Sequence, residues 1–118
     1  FLGPQERQWN ERIRAEAPDA LLPLQEDDVG ARHDFAPQLT IALARRLSLA
    51  VSNDSGTGHM FAVSGVPLIS LFGRTVPEKF TPMASRLTII RAQDYGGREM
   101  HLIPVTAVVA AIQAELKP

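Results

Sequence analysis

Between residues 51 and 73 the chain reads VSNDSGTGHMFAVSGVPLISLFG, with Asp54, Ser55, Thr57, His59 and two glycines set between two apolar runs. An Asp in such a turn accepts hydrogen bonds from sugar or ribose hydroxyls, while Ser55 and Thr57 add hydroxyl donors and His59 a ring donor. If a helix starts there, its free backbone N–H groups attract anions such as phosphates. Gly56 and Gly58 let a ligand approach the backbone closely. Together these groups suit a polyol phosphate. The same residues allow a plainer reading, in which Asp54 and Ser55 cap a helix beginning near Gly58 and the glycines relieve the turn. Spacing alone leaves both open.

Other chemical motifs fail on inspection. The run GTGHMF lacks the third glycine of a dinucleotide fingerprint, and no strand–GxGxxG–helix unit exists. Ser64 sits in AVSGV, so there is no G-x-S-x-G nucleophile elbow. His33–Asp34 lacks the further ligands a metal site needs, and Asp34 reads better as a helix N-cap. Taken alone, His59 reads better as a hydrogen-bonded structural histidine, and His101 has no partner legible in the sequence. The stretch SLFGRTVPEKFTP, residues 70 to 82, is a second polar strand end. It reads either as a proline-stiffened connection or, beside NDSGTGH, as the other side of a shared cleft.

Elements must position these groups. PQERQWNERIRAEAP reads as a turn and a helix after the strand end FLG, with Pro18 as the stop and Trp9 and Ile13 facing a core. ALLPL, residues 20 to 24, reads as a short strand. A helix is expected from Phe35, with Pro37 near its start and Leu39, Leu43 and Leu47 on one stripe. LSLAVS, VPLISLF and RLTIIR read as strands over 47–52, 66–72 and 86–91, and GHMFAVSG as a helix closed by Gly65. In the tail, Val105, Val108, Val109, Ile112 and Leu116 recur at helical spacing behind Pro104. Strands without polar alternation are covered on both faces, which implies a parallel sheet between helices. The expected class is α/β, a Rossmann-like parallel sheet with flanking helices, and ligands bind such sheets at the carboxyl ends of the strands.

Composition narrows the function. The chain has 118 residues, 45% apolar and 21% charged, enough for one small domain. A formal charge of −1 gives no electrostatic argument for nucleic acid. Cysteine is absent, which removes thiolate catalysis and Cys-based metal sites. No stretch has the length of a membrane span, and FLGPQERQW lacks the pattern of a signal peptide. The chain begins without Met, and we read it as part of something longer.

The two polar strand ends together resemble the signature region of glycosyltransferase family 9, the ADP-heptose:lipopolysaccharide heptosyltransferases. That family carries D-[ST]-G-x-x-H, a helix, a Pro before a strand, then [FY]-G-x-T-x-P. The matching residues are Asp54, Ser55, Gly56, His59, Pro67, Phe72, Gly73, Thr75, Pro77 and Pro82. FLGPQE and the segment before Asp54 resemble the family more loosely. The resemblance implies the C-terminal, donor-binding half of a GT-B fold, with residues 1–118 as one partial domain. It implies an inverting transfer of heptose from ADP-heptose to the lipopolysaccharide inner core, at the cytoplasmic face of the inner membrane, without cofactor or metal. Asp54 would then hold sugar hydroxyls. Ser55, Gly56, Thr57 and Gly58 would meet the diphosphate beside His59, with Thr75 on the second strand end, Glu6 at the ribose and Phe35 at the adenine. The catalytic base and the acceptor site are expected in a preceding domain, so this chain alone is expected to be inactive. Arg74 and the GTGHM variant leave the donor sugar open. A nucleotide-sugar epimerase recruiting Asp54 and His59 remains an alternative, as does a non-catalytic binding module on the same scaffold.

Overall fold

The computed structural model describes residues 1–2, 4–25, 37–74 and 86–118. Phe35, the His33–Asp34 pair, Thr75, Pro77 and Pro82 lie outside the described residues. The chain forms two compact units, Phe1–Leu39 and Thr40–Pro118.

In the first unit a 3-10 helix, Pro4–Trp9, runs into α1, Asn10–Glu16. Helix α1 ends where expected: the Ala17 N–H donates to the Ile13 carbonyl, and Pro18 disfavours a further helical residue. It has no buried residue, and Trp9 is exposed beneath the Arg12 guanidinium at 5.7 Å. The expected Trp9–Ile13 core stripe is therefore not formed. Nor is ALLPL a strand: Pro23–Gln25 is a 3-10 turn, because proline lacks the N–H a ladder requires. Phe1 and Leu2 pair with no strand among the described residues. Polar bonds organise this unit instead. The buried Gln25 donates to the Leu2 carbonyl at 2.8 Å and accepts from the Asn10 amide at 3.2 Å.

The second unit contains the sheet. Helix α2, Pro37–Ala44, leads into it and buries Thr40 and Ala44. Its last turn tightens: the Arg46 N–H donates to Leu43 and the Leu47 N–H to Ala44, both three residues back. Leu47 consequently falls past the helix end and is exposed, so the expected Leu39–Leu43–Leu47 stripe is cut short. The same turn delays the first strand, β1, to Ala50–Asn53, with its ladder opening at Ala50 N–H to the Pro67 carbonyl. Helix α3, Gly56–Ser64, follows and closes on Gly65, which sits in the left-handed region at φ +84°, where glycine is unstrained. Strands β2, Leu68–Phe72, and β3, Leu87–Arg91, complete a three-stranded parallel sheet in the order β1-β2-β3. Helix α4 is Val105–Glu115.

Alternation assigns the faces. Ala50 and Leu68 pack with Phe61 of α3, Val66 and Ala44. Ile69 and Ile90 pack with Ala92 and Ile103, and Val108, Ala111 and Ile112 of α4 lie against them. The architecture is thus α/β, a parallel sheet flanked by helices. Central β2 is covered on both faces, which explains its unbroken apolar run. The outer strands are not: Val51 and Ile89 are exposed, so LSLAVS is half covered rather than buried. In α4 the sheet receives Val108, Ala111 and Ile112, whereas Val105, 76% exposed, Val109 and Leu116 face solvent.

Candidate ligand-binding site

All three strands run the same way, so their carboxyl ends open on one edge of the sheet. Asp54, the residue after β1, is anchored by its own backbone, its N–H donating to the Leu71 carbonyl at 2.8 Å. Ser55 follows in extended conformation as the N-cap residue of α3, yet its side chain makes no capping hydrogen bond. The Asp54 carboxylate likewise has no hydrogen-bond partner among the described residues. Side-chain capping therefore does not account for these two groups. Gly56 and Thr57 open the helix, and N–H groups there have no intrahelical acceptor. The Gly58 N–H is satisfied by the Ser55 carbonyl at 3.1 Å, and Gly58 is buried. At Gly56 an added Cβ would meet only open space. His59 is exposed on the first turn.

The ends of β2 and β3 meet beside Asp54. After β3 the chain makes a 3-10 turn, Ala92–Tyr95, and reverses at Gly96, φ +95°. The segment 97–99 then packs onto Gly73, the buried residue after β2. A Cβ on Gly73 would lie 3.2 Å from the Arg98 carbonyl oxygen and 3.5 Å from the Met100 nitrogen. Two polar links reinforce the approach. The Gln93 amide donates to the Gly73 carbonyl at 2.7 Å, and the Arg74 guanidinium donates to both Glu99 carboxylate oxygens at 2.9 and 3.1 Å. With the pair's side chains 77% and 49% exposed, its effect on stability is small, typically about 0–1 kcal/mol; its consequence is geometric. The result is a cleft of about 290 Å³ lined by Asp54, Gly73, Arg74, Arg98, Glu99 and Met100.

Of the residues singled out in the sequence, Asp54, Gly73 and Arg74 line this cleft, so the ends of β1 and β2 do share it, and Ser55 to His59 continue from Asp54 on the first turn of α3. Glu6 is exposed on the 3-10 helix of the first unit. Phe35 and Thr75 fall outside the described residues. Arg98, Glu99 and Met100 were missed, because GGREM has no motif spacing. Its position after the third apolar strand was the available signal, since every strand end of a parallel sheet shares one edge. No group of three or more His, Asp or Glu residues among the described residues is placed to hold a metal ion. Chemically, the cleft offers arginine side chains and a carboxylate that is unpartnered among the described residues, and backbone N–H groups open α3 beside Asp54.

A three-stranded parallel sheet flanked by helices places the chain in the Rossmann-like α/β class. The sequence model for glycosyltransferase family 9 (heptosyltransferase) matches residues 3–102, and the chain belongs to that family. Lipooligosaccharide heptosyltransferase 2 of Haemophilus influenzae is 32% identical over 81 residues, covering 59% of this chain. The matched region is 23% of that relative's length. No solved structure gives a significant match.

Proposed function

We propose that this chain is the donor-binding part of an inverting heptosyltransferase with a GT-B architecture, taking an ADP-heptose-type nucleotide sugar. The observation that carries the reading is the placement of Asp54, unpartnered among the described residues, in the cleft where all three strands end. The resemblance of D-S-G-x-x-H at Asp54 to the family motif implies that this carboxylate holds the sugar hydroxyls. The first-turn N–H groups of α3 supply the complementary anion site for the diphosphate, stabilising negative charge as it develops on the leaving group. Ser55, Thr57 and His59 add side-chain donors at the same strand end. Ligand sites commonly span roughly 300–1,000 Å³, so a cleft of about 290 Å³ suits part of a nucleotide sugar rather than all of it.

The acceptor in this reading is the inner core of lipopolysaccharide, reached at the cytoplasmic face of the inner membrane with only peripheral membrane association. No helix among the described residues is long and apolar enough to cross a membrane.

Calorimetric titration of the protein at its natural length with ADP-heptose, ADP and UDP-GlcNAc tests the proposal. ADP-heptose should bind selectively, and a folded Asp54→Ala variant should bind it about tenfold or more weakly, the size of a lost charge-assisted hydrogen bond. Preference for UDP-GlcNAc, or equal affinity in Asp54→Ala, would overturn it.

A further inference from the structure

Among the described residues, the charged groups that line the cleft are two arginines and two carboxylates, and they are not equivalent. Arg74 is committed to Glu99 through both carboxylate oxygens. Recruiting Arg74 to a ligand anion would leave the Glu99 carboxylate unpaired beside that anion, so Arg74 serves better as the neutraliser of Glu99. Asp54 then remains as a negative charge in the cleft, and an anionic ligand group needs a cation to offset it. Among the described residues that line the cleft, the cation left over is Arg98. Its side chain has no ion pair or hydrogen bond among the described residues, while its backbone is held tightly. Its carbonyl abuts Gly73, the neighbouring Glu99 is tied to Arg74, and the reversal at Gly96 aims the segment back toward the end of β2. A held backbone carrying a guanidinium that has no partner among the described residues suits recognition of a phosphate group, whose oxygens match the planar fork of donors.

We propose that Arg98 binds the phosphate group of the ligand that occupies this cleft, and that it sets the preference of the site for a charged donor. The proposal rests on the donor-binding reading above. It is tested by titrating ADP, at two or more salt concentrations, into the natural-length protein as wild type, Arg98→Gln and Arg98→Lys, with thermal melts confirming that each is folded. Arg98→Gln should weaken ADP binding about tenfold, and Arg98→Lys should recover part of that loss. The fall of affinity with salt should be shallower in Arg98→Gln, a readout that a purely structural role would not change. A folded Arg98→Gln variant that binds ADP within twofold of wild type, with an unchanged salt dependence, would overturn the role of Arg98 while leaving the donor site standing. Wild type that does not bind ADP would overturn the donor reading and this proposal with it.

Discussion

Gly73 marks the closest approach between the end of β2 and the segment that carries Arg98. Its φ is not in the left-handed region, so the glycine answers to space rather than to backbone conformation. An alanine methyl there would sit 3.2 Å from the Arg98 carbonyl oxygen, and a backbone atom cannot swing aside as a side chain can. Gly97 presents the opposite case: its Cβ would meet only Leu102 Cδ1, at 2.6 Å, the far end of a flexible side chain. Gly73→Ala should therefore lower stability by about 1–3 kcal/mol as an overpacking change, and should weaken ligand binding by displacing Arg98. Gly97→Ala should stay within about 0.5 kcal/mol of wild type. Urea denaturation midpoints of the two variants check the contrast, and equal losses would show that the Gly73 contact is not restrictive. At this scale the sequence displayed the ends of β1 and β2 on the cleft and hid the segment after β3. Asp54 stood in a spaced polar turn that any ligand argument would stop at. Arg98 and Glu99 belong to the site only because β3 ends beside β2, a fact of strand order that no local spacing encodes.

Elements behaved in proportion to how much of their pattern was set locally. Strand β2 was legible because a strand buried on both faces carries an unbroken apolar run, and the end of α3 was legible because Gly65 marks it. Helix α4 was legible in position but not in rotation. Its valines offer more than one stripe at helical spacing, and the one the sheet takes includes Ala111, a small residue that lets the helix approach. Ile103, buried just before the helix, fixes which side turns inward. What docks α4 can be decided by magnitude. Arg86 and Thr88 both donate to the Glu115 carboxylate, at 2.7 and 2.9 Å, but Arg86 is 61% exposed and water screens the pair. Such a link contributes about 0–1 kcal/mol, whereas truncating a packed aliphatic side chain costs about 2–5 kcal/mol when fully buried and less at a half-buried position. Ile112→Ala should thus destabilise more than Glu115→Gln, by about 1 kcal/mol or more. Chemical denaturation of both variants measures the difference, and the reverse order would make the polar link the principal attachment.

For the molecule as a whole, the question is how much of a transferase resides in these 118 residues. The chain spans 23% of the heptosyltransferase it matches. The described residues that line its cleft all lie within Thr40–Pro118, so in the proposed reading binding of the sugar-phosphate portion is a local property of that unit. Turnover, in the same reading, is not: the family resemblance implies a base in a preceding domain, and a positioned general base contributes about 10²–10⁴ in rate. Separation from the acceptor site also removes the advantage of holding both reactants in one geometry, which is larger still. The 118-residue chain should accordingly retain detectable, weakened ADP binding but release no ADP from ADP-heptose in the presence of acceptor. The natural-length protein should bind ADP more tightly and release ADP from ADP-heptose when acceptor is present. A coupled assay for released ADP, run on the two forms at equal concentration with circular dichroism as the folding control, separates the possibilities. Turnover by the short chain would require that the base lie within it, and Asp54 and His59, the polar groups at the end of β1, would then be the first two to replace.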